Sequence, residues 1–207
     1  MLPVAAITIP PVWSIVVGEH AEPATPEVAR KICLTLRPGP GFGNGAHETT
    51  QLCLQAIHAF RPRTSPWRLL DFGSGSGILS IAGAKLGAEV QAVEIDELAI
   101  AHAEANVRIN AVQERVHFSR SLADASGTFE LVVANILLPV LTGAAAELVA
   151  RRAPRGVLVL SGLVSTDVPE AIARYTPLFD GKRPEIYEQG AWRALTWGRV
   201  LQDTHGV

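Results

Sequence analysis

The stretch that most constrains the fold runs from Trp67 to Gly77 and has the sequence Trp-Arg-Leu-Leu-Asp-Phe-Gly-Ser-Gly-Ser-Gly. Its first half is apolar enough for a buried strand, and its alternating glycines predict a tight turn with positive φ and room for a ligand close to the backbone. The apolar residues from Ile78 to Ala82 then have the spacing of one helix face. Because the first N–H groups of such a helix point back at the turn, this stretch predicts a site for a nucleotide-like ligand.

The spacing of the glycines separates two classes of ligand site. The dinucleotide fingerprint G-x-G-x-x-G requires its third glycine at Ile78, counted from Gly73, or at Ser80, counted from Gly75. Neither position has one. A nicotinamide-dependent oxidoreductase is therefore a distant alternative, and a cofactor-binding module without catalytic activity is another. The turn by itself is also compatible with a purely structural connection between a strand and a helix.

A second glycine-rich turn covers residues 41–50 and leads into residues with the spacing of a helix buried on one face. Taken alone, Thr49 and Thr50 are typical of helix capping, and His47 and Glu48 are typical of a solvated first turn. The pair His47-Glu48 does not start a zinc motif, because H-E-x-x-H requires histidine at Gln51. We therefore predict no metal site.

Polar residues stand at the ends of two predicted strands. Glu94 ends the strand 89–94, about 20 residues after the glycine turn, the distance at which an acidic residue contacts a ribose diol in βαβ nucleotide units. Asp96 has the position of an N-cap for the next helix. Asn135 follows the apolar strand 129–134, and ligands bind at the carboxyl ends of strands in open α/β sheets. An asparagine there can also bond only to local backbone.

Strands and helices alternate along the chain, which predicts an α/β fold with a doubly wound, mostly parallel sheet covered on both faces. The other predicted strands cover residues 12–17, 31–36, 115–119, 156–161, 184–187 and 193–199. The last two are joined by a short link, so we predict a final antiparallel hairpin. We divide the 207 residues into an N-terminal extension (1–30) and one domain (31–207).

The composition excludes several classes of function. The net charge is −2 and no basic run exceeds Arg151-Arg152, so direct binding of nucleic acid is not expected. No stretch of about 18 apolar residues predicts a membrane span. Cys33 and Cys53 lack metal-ligand or redox spacing, as is usual for reduced thiols. We expect a cytoplasmic protein.

Together the two turns, Gly-Phe-Gly-x-Gly-x-His-x-Thr-Thr at 41–50 and Asp-Phe-Gly-Ser-Gly-Ser-Gly-Ile-Leu at 71–79, resemble the catalytic domain of the ribosomal protein L11 methyltransferase family. One departure is Asn44, which stands where that family usually has threonine. The resemblance implies a seven-stranded Rossmann-like methyltransferase sheet and S-adenosyl-L-methionine as cofactor. The cofactor contacts that we predict are Thr50, Gly73, Gly75, Glu94 and Asn135.

The resemblance also implies methyl transfer to a protein nitrogen, either a lysine ε-amine or an N-terminal amine, with a ribosomal protein as a possible partner. Another protein or a small-molecule nitrogen is the alternative acceptor. Asn135 is the predicted catalytic residue, because its side-chain and backbone carbonyls can accept the hydrogens of the amine and orient the lone pair. Members of the family carry a separate substrate-recognition domain ahead of the catalytic unit, which we expect this chain to lack.

Overall fold

The computed structural model describes residues 7–18, 31–60, 62 and 66–198. The strands are β1 (Ile7–Ile9), β2 (Trp13–Val17), β3 (Ile32–Leu36), β4 (Trp67–Phe72), β5 (Ala88–Val93), β6 (Val116–Ser119), β7 (Phe129–Asn135), β8 (Arg152–Val164), β9 (Glu185–Gln189) and β10 (Trp192–Trp197). The α-helices are α1 (Glu48–Phe60), α2 (Ile78–Lys85), α3 (Glu97–Ile109), α4 (Leu138–Gly143), α5 (Ala145–Arg151) and α6 (Val168–Tyr175). Among these described helices, none has the length and apolarity that crossing a membrane requires.

Seven strands form the central sheet in the order β6-β5-β4-β7-β8-β10-β9. The five strands from β6 to β8 run parallel, whereas β10 is antiparallel to both β8 and β9. The predicted fold class, including the closing antiparallel hairpin, is confirmed. The apolar runs in β4, β7 and β8 follow from this topology, because a parallel strand between two layers of helices is buried on both faces.

Alternate residues of the central strands face two separate hydrophobic cores. Leu69 and Leu131 belong to the core shared with α1, α2 and the small N-terminal sheet. Their neighbours Leu70 and Val132 belong to the core shared with α4, α5 and α6. This division follows from the two-residue side-chain period of a strand and leaves the carboxyl edge of the sheet as the place for polar residues.

A second, three-stranded sheet has the order β1-β2-β3, with β2 parallel to β3 and antiparallel to β1. The buried Trp13 of β2 joins this sheet to α1, since its indole N–H donates to the carbonyl of Leu54 over 3.0 Å. The predicted boundary at residue 30 runs between β2 and β3. Residues 1–6, 19–30 and 199–207 lie outside the described residues, so the division into 1–30 and 31–207 stays a prediction.

At the outer edge of β3 no described strand pairs with the backbone, and side chains bond to it instead. Asn110 accepts from the backbone N–H of Thr35 over 3.0 Å and donates to its carbonyl over 2.6 Å. One helical turn earlier in α3, Asn106 accepts from the N–H of Arg37 over 2.8 Å and donates to the carbonyl of Ser76 over 2.9 Å. This polar stripe of α3 therefore connects the small sheet to the glycine turn.

Several elements of the structure differ from the prediction. The strand predicted at 156–161 extends over Arg152–Val164, because β7 pairs with its start and β10 pairs as far as its last residue. Strand β1 and helices α4 and α5 have no counterpart in the prediction. Pro139 of α4 lies in the first turn, where the missing N–H leaves no helical hydrogen bond unmade.

We expect Asn110→Ala to lower the free energy of unfolding by about 1–3 kcal/mol, because it leaves the N–H and carbonyl of Thr35 without their partner. Urea titration of the variant measures this difference. The matched control on the same helix is Arg108→Ala, which removes an exposed ion pair to Glu104 at 3.7 Å and should cost less than about 0.5 kcal/mol. Equal free energies of unfolding for the two variants would show that the side chain of Asn110 does not stabilise the fold.

Candidate functional site

A cavity of about 400 Å³ opens at the carboxyl edge of the central sheet. Its walls come from the ends of β4, β5, β7 and β10, from a bulge in β8 and from the turn before α1. The residues that line it are Pro40, Gly41, Phe42, His47, Thr49, Gly73, Gly75, Glu94, Asp96, Ala99, Asn135, Ile136, Leu137, Gly162 and Trp192. Four of the five predicted cofactor contacts, Gly73, Gly75, Glu94 and Asn135, thus share one cavity.

The turn after β4 has the backbone that its glycines predict. The φ angles of Gly73, Gly75 and Gly77 are +79°, +54° and +79°. A Cβ on Gly73 would lie 2.9 Å from the side chain of Ile136, and one on Gly75 would lie 2.6 Å from the carbonyl oxygen of Phe42. The glycines are therefore required by close packing of the protein on itself as well as by their φ angles.

The two glycine-rich turns pack backbone against backbone. A Cβ on Gly41 would lie 2.6 Å from the carbonyl group of Gly75. Ser76 fastens this contact, because its N–H donates to the carbonyl of Phe42 over 2.8 Å and its hydroxyl donates to the carbonyl of Gly43. The turn before α1 therefore forms a wall of the cavity, and the position of the wall depends on the turn after β4.

His102 of α3 holds the same wall from its other side. Its Nδ1 accepts from the N–H of Gly41 over 3.2 Å, and its Nε2 lies 2.8 Å from the carbonyl oxygen of Arg37. Since a backbone N–H can only donate, the proton of the neutral ring is on Nε2. His102 lies four residues before Asn106, so it extends the polar stripe of α3 to the edge of the cavity.

The carboxylate of Glu94 faces the cavity from the end of β5. One oxygen accepts from the N–H of Gly75 over 3.0 Å, and the other accepts from the N–H groups of Ile95 and Asp96 over 2.8 and 3.1 Å. The oxygen bound by Gly75 keeps a second acceptor position, so these bonds orient the carboxylate without exhausting it. Asp96 is the N-cap of α3, as predicted, and accepts from the N–H of Leu98.

Asn135 is the last residue of β7 and lines the middle of the cavity. Its side-chain carbonyl oxygen is buried and has no hydrogen-bond partner within the described residues. A buried acceptor without a partner costs about 1–3 kcal/mol. The position therefore suits a ligand that brings an N–H or O–H donor to this oxygen.

Thr50 is fully buried and is not one of the residues that line the cavity. It lies behind Gly43, since a Cβ on that glycine would be 3.7 Å from the Thr50 hydroxyl oxygen. Its neighbour Thr49 lines the cavity instead. The role of Thr50 as a cofactor contact, like those of the other four residues, stays a prediction.

Three aromatic rings of the cavity wall had no assigned role in the sequence analysis: Phe42, His47 and Trp192. His47 lies between the other two rings, with its centroid 5.4 Å from that of Phe42 and 4.8 Å from that of Trp192. The sequence feature that could have indicated two of these rings is the position of Phe42 and His47 within the second glycine-rich turn. Nothing in the sequence near Trp192 indicates that β10 begins at the cavity.

Two ionisable groups near the site have strongly raised pKa values because they are buried. The pKa of Asp71, in β4, rises to about 6, although the hydroxyl of Ser80 donates to its carboxylate over 2.6 Å. Burial raises the pKa of the Cys53 thiol to about 12, which makes this cysteine unreactive near neutral pH. In the described ranges, no group of three or more histidine, cysteine, aspartate and glutamate residues has the arrangement of a metal site.

Comparison with known proteins identifies the relatives of the chain. The sequence model of the ribosomal protein L11 methyltransferase family matches residues 6–199. The ribosomal protein L11 methyltransferase of Geotalea daltonii is 40% identical over 176 residues, covering 80% of this chain and 56% of that protein. The protein of the same name from Bordetella parapertussis is 41% identical over 171 residues, covering 80% and 54%. The chain therefore spans little more than half the length of these relatives.

Solved structures agree with the fold. The crystal structure of ribosomal protein L11 methylase from Lactobacillus delbrueckii subsp. bulgaricus matches with a TM-score of 0.79 and 30% identity, over 92% of this chain and 96% of that chain. The N-methyltransferase NodS from Bradyrhizobium japonicum, solved in complex with S-adenosyl-L-homocysteine, matches with a TM-score of 0.55 and 15% identity over 73% and 88%. The second likeness concerns the fold alone.

We expect Asp71→Asn to change the pH dependence of stability. The folded-state pKa of Asp71 is about 6 and its ordinary value is 3.8, so this group favours the folded state below about pH 4, and its contribution is lost as the pH rises to 6. Relative to the wild type, the Asn variant should gain roughly 2 kcal/mol between pH 4 and pH 7. Urea titrations across this range measure the gain, and a difference that does not vary with pH would contradict it.

We expect Gly41→Ala to separate the two turns, because its Cβ would meet the Gly75 carbonyl group at 2.6 Å. The free energy of unfolding should fall by about 1–3 kcal/mol, and calorimetric affinity for S-adenosylhomocysteine should fall with it. Gly143→Ala is the control, since nothing lies within 4 Å of its added Cβ. That change in α4 should leave stability unchanged or raise it by up to about 1 kcal/mol. Normal affinity in Gly41→Ala would show that the close contact is dispensable.

Proposed function

Because the chain belongs to the ribosomal protein L11 methyltransferase family, we propose that it transfers a methyl group from S-adenosylmethionine to an amine nitrogen of a protein. Ribosomal protein L11, the substrate named by its relatives, is the first acceptor to test. Because the acceptor is a ribosomal protein, we propose that the reaction takes place in the cytoplasm. The observation that carries the proposal is the position of Asn135 in the cavity wall beside the glycine turn, with a buried side-chain carbonyl oxygen that has no hydrogen-bond partner among the described residues.

The residues of the cavity suit the chemical groups of S-adenosylmethionine. The Glu94 carboxylate keeps one free acceptor position, on the oxygen bound by Gly75, for a ribose hydroxyl. The turn at Gly73 and Gly75 offers close backbone approach for the amino-acid part of the cofactor. Next to Glu94, the Asp96 carboxylate adds hydrogen-bond acceptors and the first backbone N–H groups of α3 add donors. The fit thus rests on the chemistry and placement of groups that already line one cavity.

When bound, S-adenosylmethionine supplies an activated methyl group on a positively charged sulfur. The protein must supply an oriented amine with a free lone pair, since a lysine is mostly protonated near neutral pH. Asn135 accepts N–H hydrogens of the amine through its side-chain oxygen, which directs the lone pair away from the amide and into the cavity. Burial at the end of β7 disfavours the charged form of the amine and so promotes loss of its proton.

We expect Asn135→Ala to reduce turnover much more than cofactor affinity. With labelled methyl donor and purified ribosomal protein L11, kcat should fall about ten- to one-hundredfold, the loss expected for one hydrogen bond to a reacting group. Calorimetric affinity for S-adenosylhomocysteine should stay within about threefold of the wild type. Glu94→Ala is the contrasting variant, in which this affinity itself should fall about ten- to one-hundredfold.

The outcomes separate the parts of the proposal. Equal loss of turnover and affinity in Asn135→Ala would confine this residue to cofactor binding, and full activity would remove it from the site. If the wild type leaves L11 unlabelled but labels another protein in a ribosome-free extract, the acceptor assignment is wrong and the methyltransferase assignment stands. If it labels nothing and does not bind S-adenosylhomocysteine, the proposed function fails.

A further inference from the structure

The segment between β3 and the turn before α1 has open space on both of its sides. Residues 37–43, which we call the wall loop, separate the cavity of about 400 Å³ at the sheet edge from an outer cavity of about 640 Å³. Gly41 and Phe42 line both cavities. A backbone segment between two cavities has few packing contacts, so its position depends on the hydrogen bonds that it makes.

Helix α3 provides the hydrogen bonds of the first half of the wall loop. His102 donates from Nε2 to the carbonyl of Arg37 and accepts at Nδ1 from the N–H of Gly41, while Asn106 accepts from the N–H of Arg37. These three are the only hydrogen bonds that join residues 37–41 to other described residues. Pro38 and Pro40 have no N–H to add. The first half of the loop is therefore held by two side chains.

Gly41 is the point at which this support reaches the cavity. Its N–H donates to His102 over 3.2 Å, and on its other side a Cβ would lie 2.6 Å from the carbonyl group of Gly75. The N–H of Gly75 in turn donates to the carboxylate of Glu94 over 3.0 Å. His102, which does not line the inner cavity, is thus connected through Gly41 to two residues that do.

The ring of His102 also accounts for the glycine at residue 39. Gly39 is not one of the described glycines with positive φ, so its backbone does not require glycine. A Cβ at this position would instead overlap the imidazole ring of His102. The two residues are therefore matched to each other, because the space that a side chain on residue 39 would need is filled by the ring.

The contacts of His102 require one tautomer of the neutral ring. The Gly41 N–H can only donate and the Arg37 carbonyl can only accept, so Nδ1 is unprotonated and Nε2 carries the proton. The amide nitrogen of Asn106 lies 3.3 Å from Nε2 and donates to the carbonyl of Ser76 instead. A side chain at residue 102 must therefore present an acceptor at the δ position, which asparagine can do and leucine, of the same shape, cannot.

We propose that His102 is a positioning residue for cofactor binding, which holds the wall loop against the glycine turn by accepting from Gly41. The proposal rests on the proposed function and adds to it a residue outside the cavity. Without the Nδ1 acceptor, the Gly41 N–H loses its partner and the loop is free to move toward the outer cavity. The consequence is weaker binding of S-adenosylmethionine, with the methyl-transfer step unchanged once the cofactor is bound.

The test compares two variants of the full-length protein whose new side chains have the same shape. His102→Leu should weaken calorimetric affinity for S-adenosylhomocysteine about three- to thirtyfold, because both bonds are lost and a backbone donor is left unpaired. His102→Asn keeps the δ acceptor and should stay within about threefold of the wild type. Arg108→Leu, exposed on the same helix, is the control and should not change affinity. Since leucine favours helices more than asparagine does, a role in helix stability alone predicts the opposite order.

A second set of variants tests the match between the ring and Gly39. Gly39→Ala should weaken affinity for S-adenosylhomocysteine about as much as His102→Leu does, because its methyl group displaces the ring. In a His102→Ala background there is room for this methyl group, so adding Gly39→Ala should change affinity by less than about twofold. Equal effects of Gly39→Ala in the two backgrounds would show that the ring and the glycine are not coupled and would contradict the proposal.

Kinetics and hydrogen exchange separate positioning from a direct role in the reaction. In methyl-transfer assays of His102→Leu, KM for S-adenosylmethionine should rise while kcat stays within about threefold. In the cofactor-free protein, the Gly41 amide should exchange faster in His102→Leu than in the wild type, and His102→Asn should restore its protection. Unchanged affinity in folded His102→Leu, or equal losses in the leucine and asparagine variants, would overturn the proposal.

Failure of the proposed function would give a different result. If the wild type binds S-adenosylhomocysteine and the variants show the expected order, but no protein is methylated, the proposed function is wrong and the role of His102 stands. If the wild type methylates ribosomal protein L11 and His102→Leu has a normal KM for S-adenosylmethionine, the role of His102 is wrong and the proposed function stands.

Discussion

Two glycine turns meet backbone to backbone at the carboxyl edge of the sheet, and the shape of the cavity depends on this contact. Cβ atoms on Gly41 and Gly75 would each lie 2.6 Å from backbone atoms of the opposite turn, so no other residue type fits without moving one of them. The contact brings Phe42 to the mouth of the cavity, while Ser76 fastens it through two hydrogen bonds. Close packing, more than flexibility, thus accounts for glycine at these two positions.

Two carboxylates near this contact have different environments and so different roles. Asp71 is enclosed in β4, where its second oxygen has no partner among the described residues and burial raises its pKa to about 6. Glu94 lies at the end of the adjacent strand β5, where three backbone N–H groups fix the orientation of its oxygens at the cavity. A buried carboxylate destabilises the fold near neutral pH, whereas an oriented one at the edge is ready to accept ligand hydroxyls.

The strands, the glycine turn and the strand ends that form the cavity follow from short sequence patterns and were predictable from the sequence. Apolar runs and alternating glycines predict β4 and its turn, and strand ends predict where Glu94 and Asn135 lie. The contacts of His102, Asn106 and Asn110 with the backbone of residues 35–41 were not predictable, because they join positions 61–75 residues apart and leave no periodic signal. A second limit is that the sequence does not show which of Thr49 and Thr50 lines the cavity, since neighbouring side chains on a helix point about 100° apart.

The antiparallel direction of β10 determines which of its residues lies at the carboxyl edge of the sheet. Parallel strands bring their last residues to the carboxyl edge, as β7 does with Asn135. An antiparallel strand brings its first residue there, and in β10 this residue is Trp192, paired with Val164 at the far end of β8. If β10 ran parallel to β8, its last residue, Trp197, would lie at the carboxyl edge instead. In the structure Trp197 is buried against Tyr175 and Phe179 in the second core. The reversal therefore lets one strand supply a core residue at one end and an aromatic ring of the cavity wall at the other.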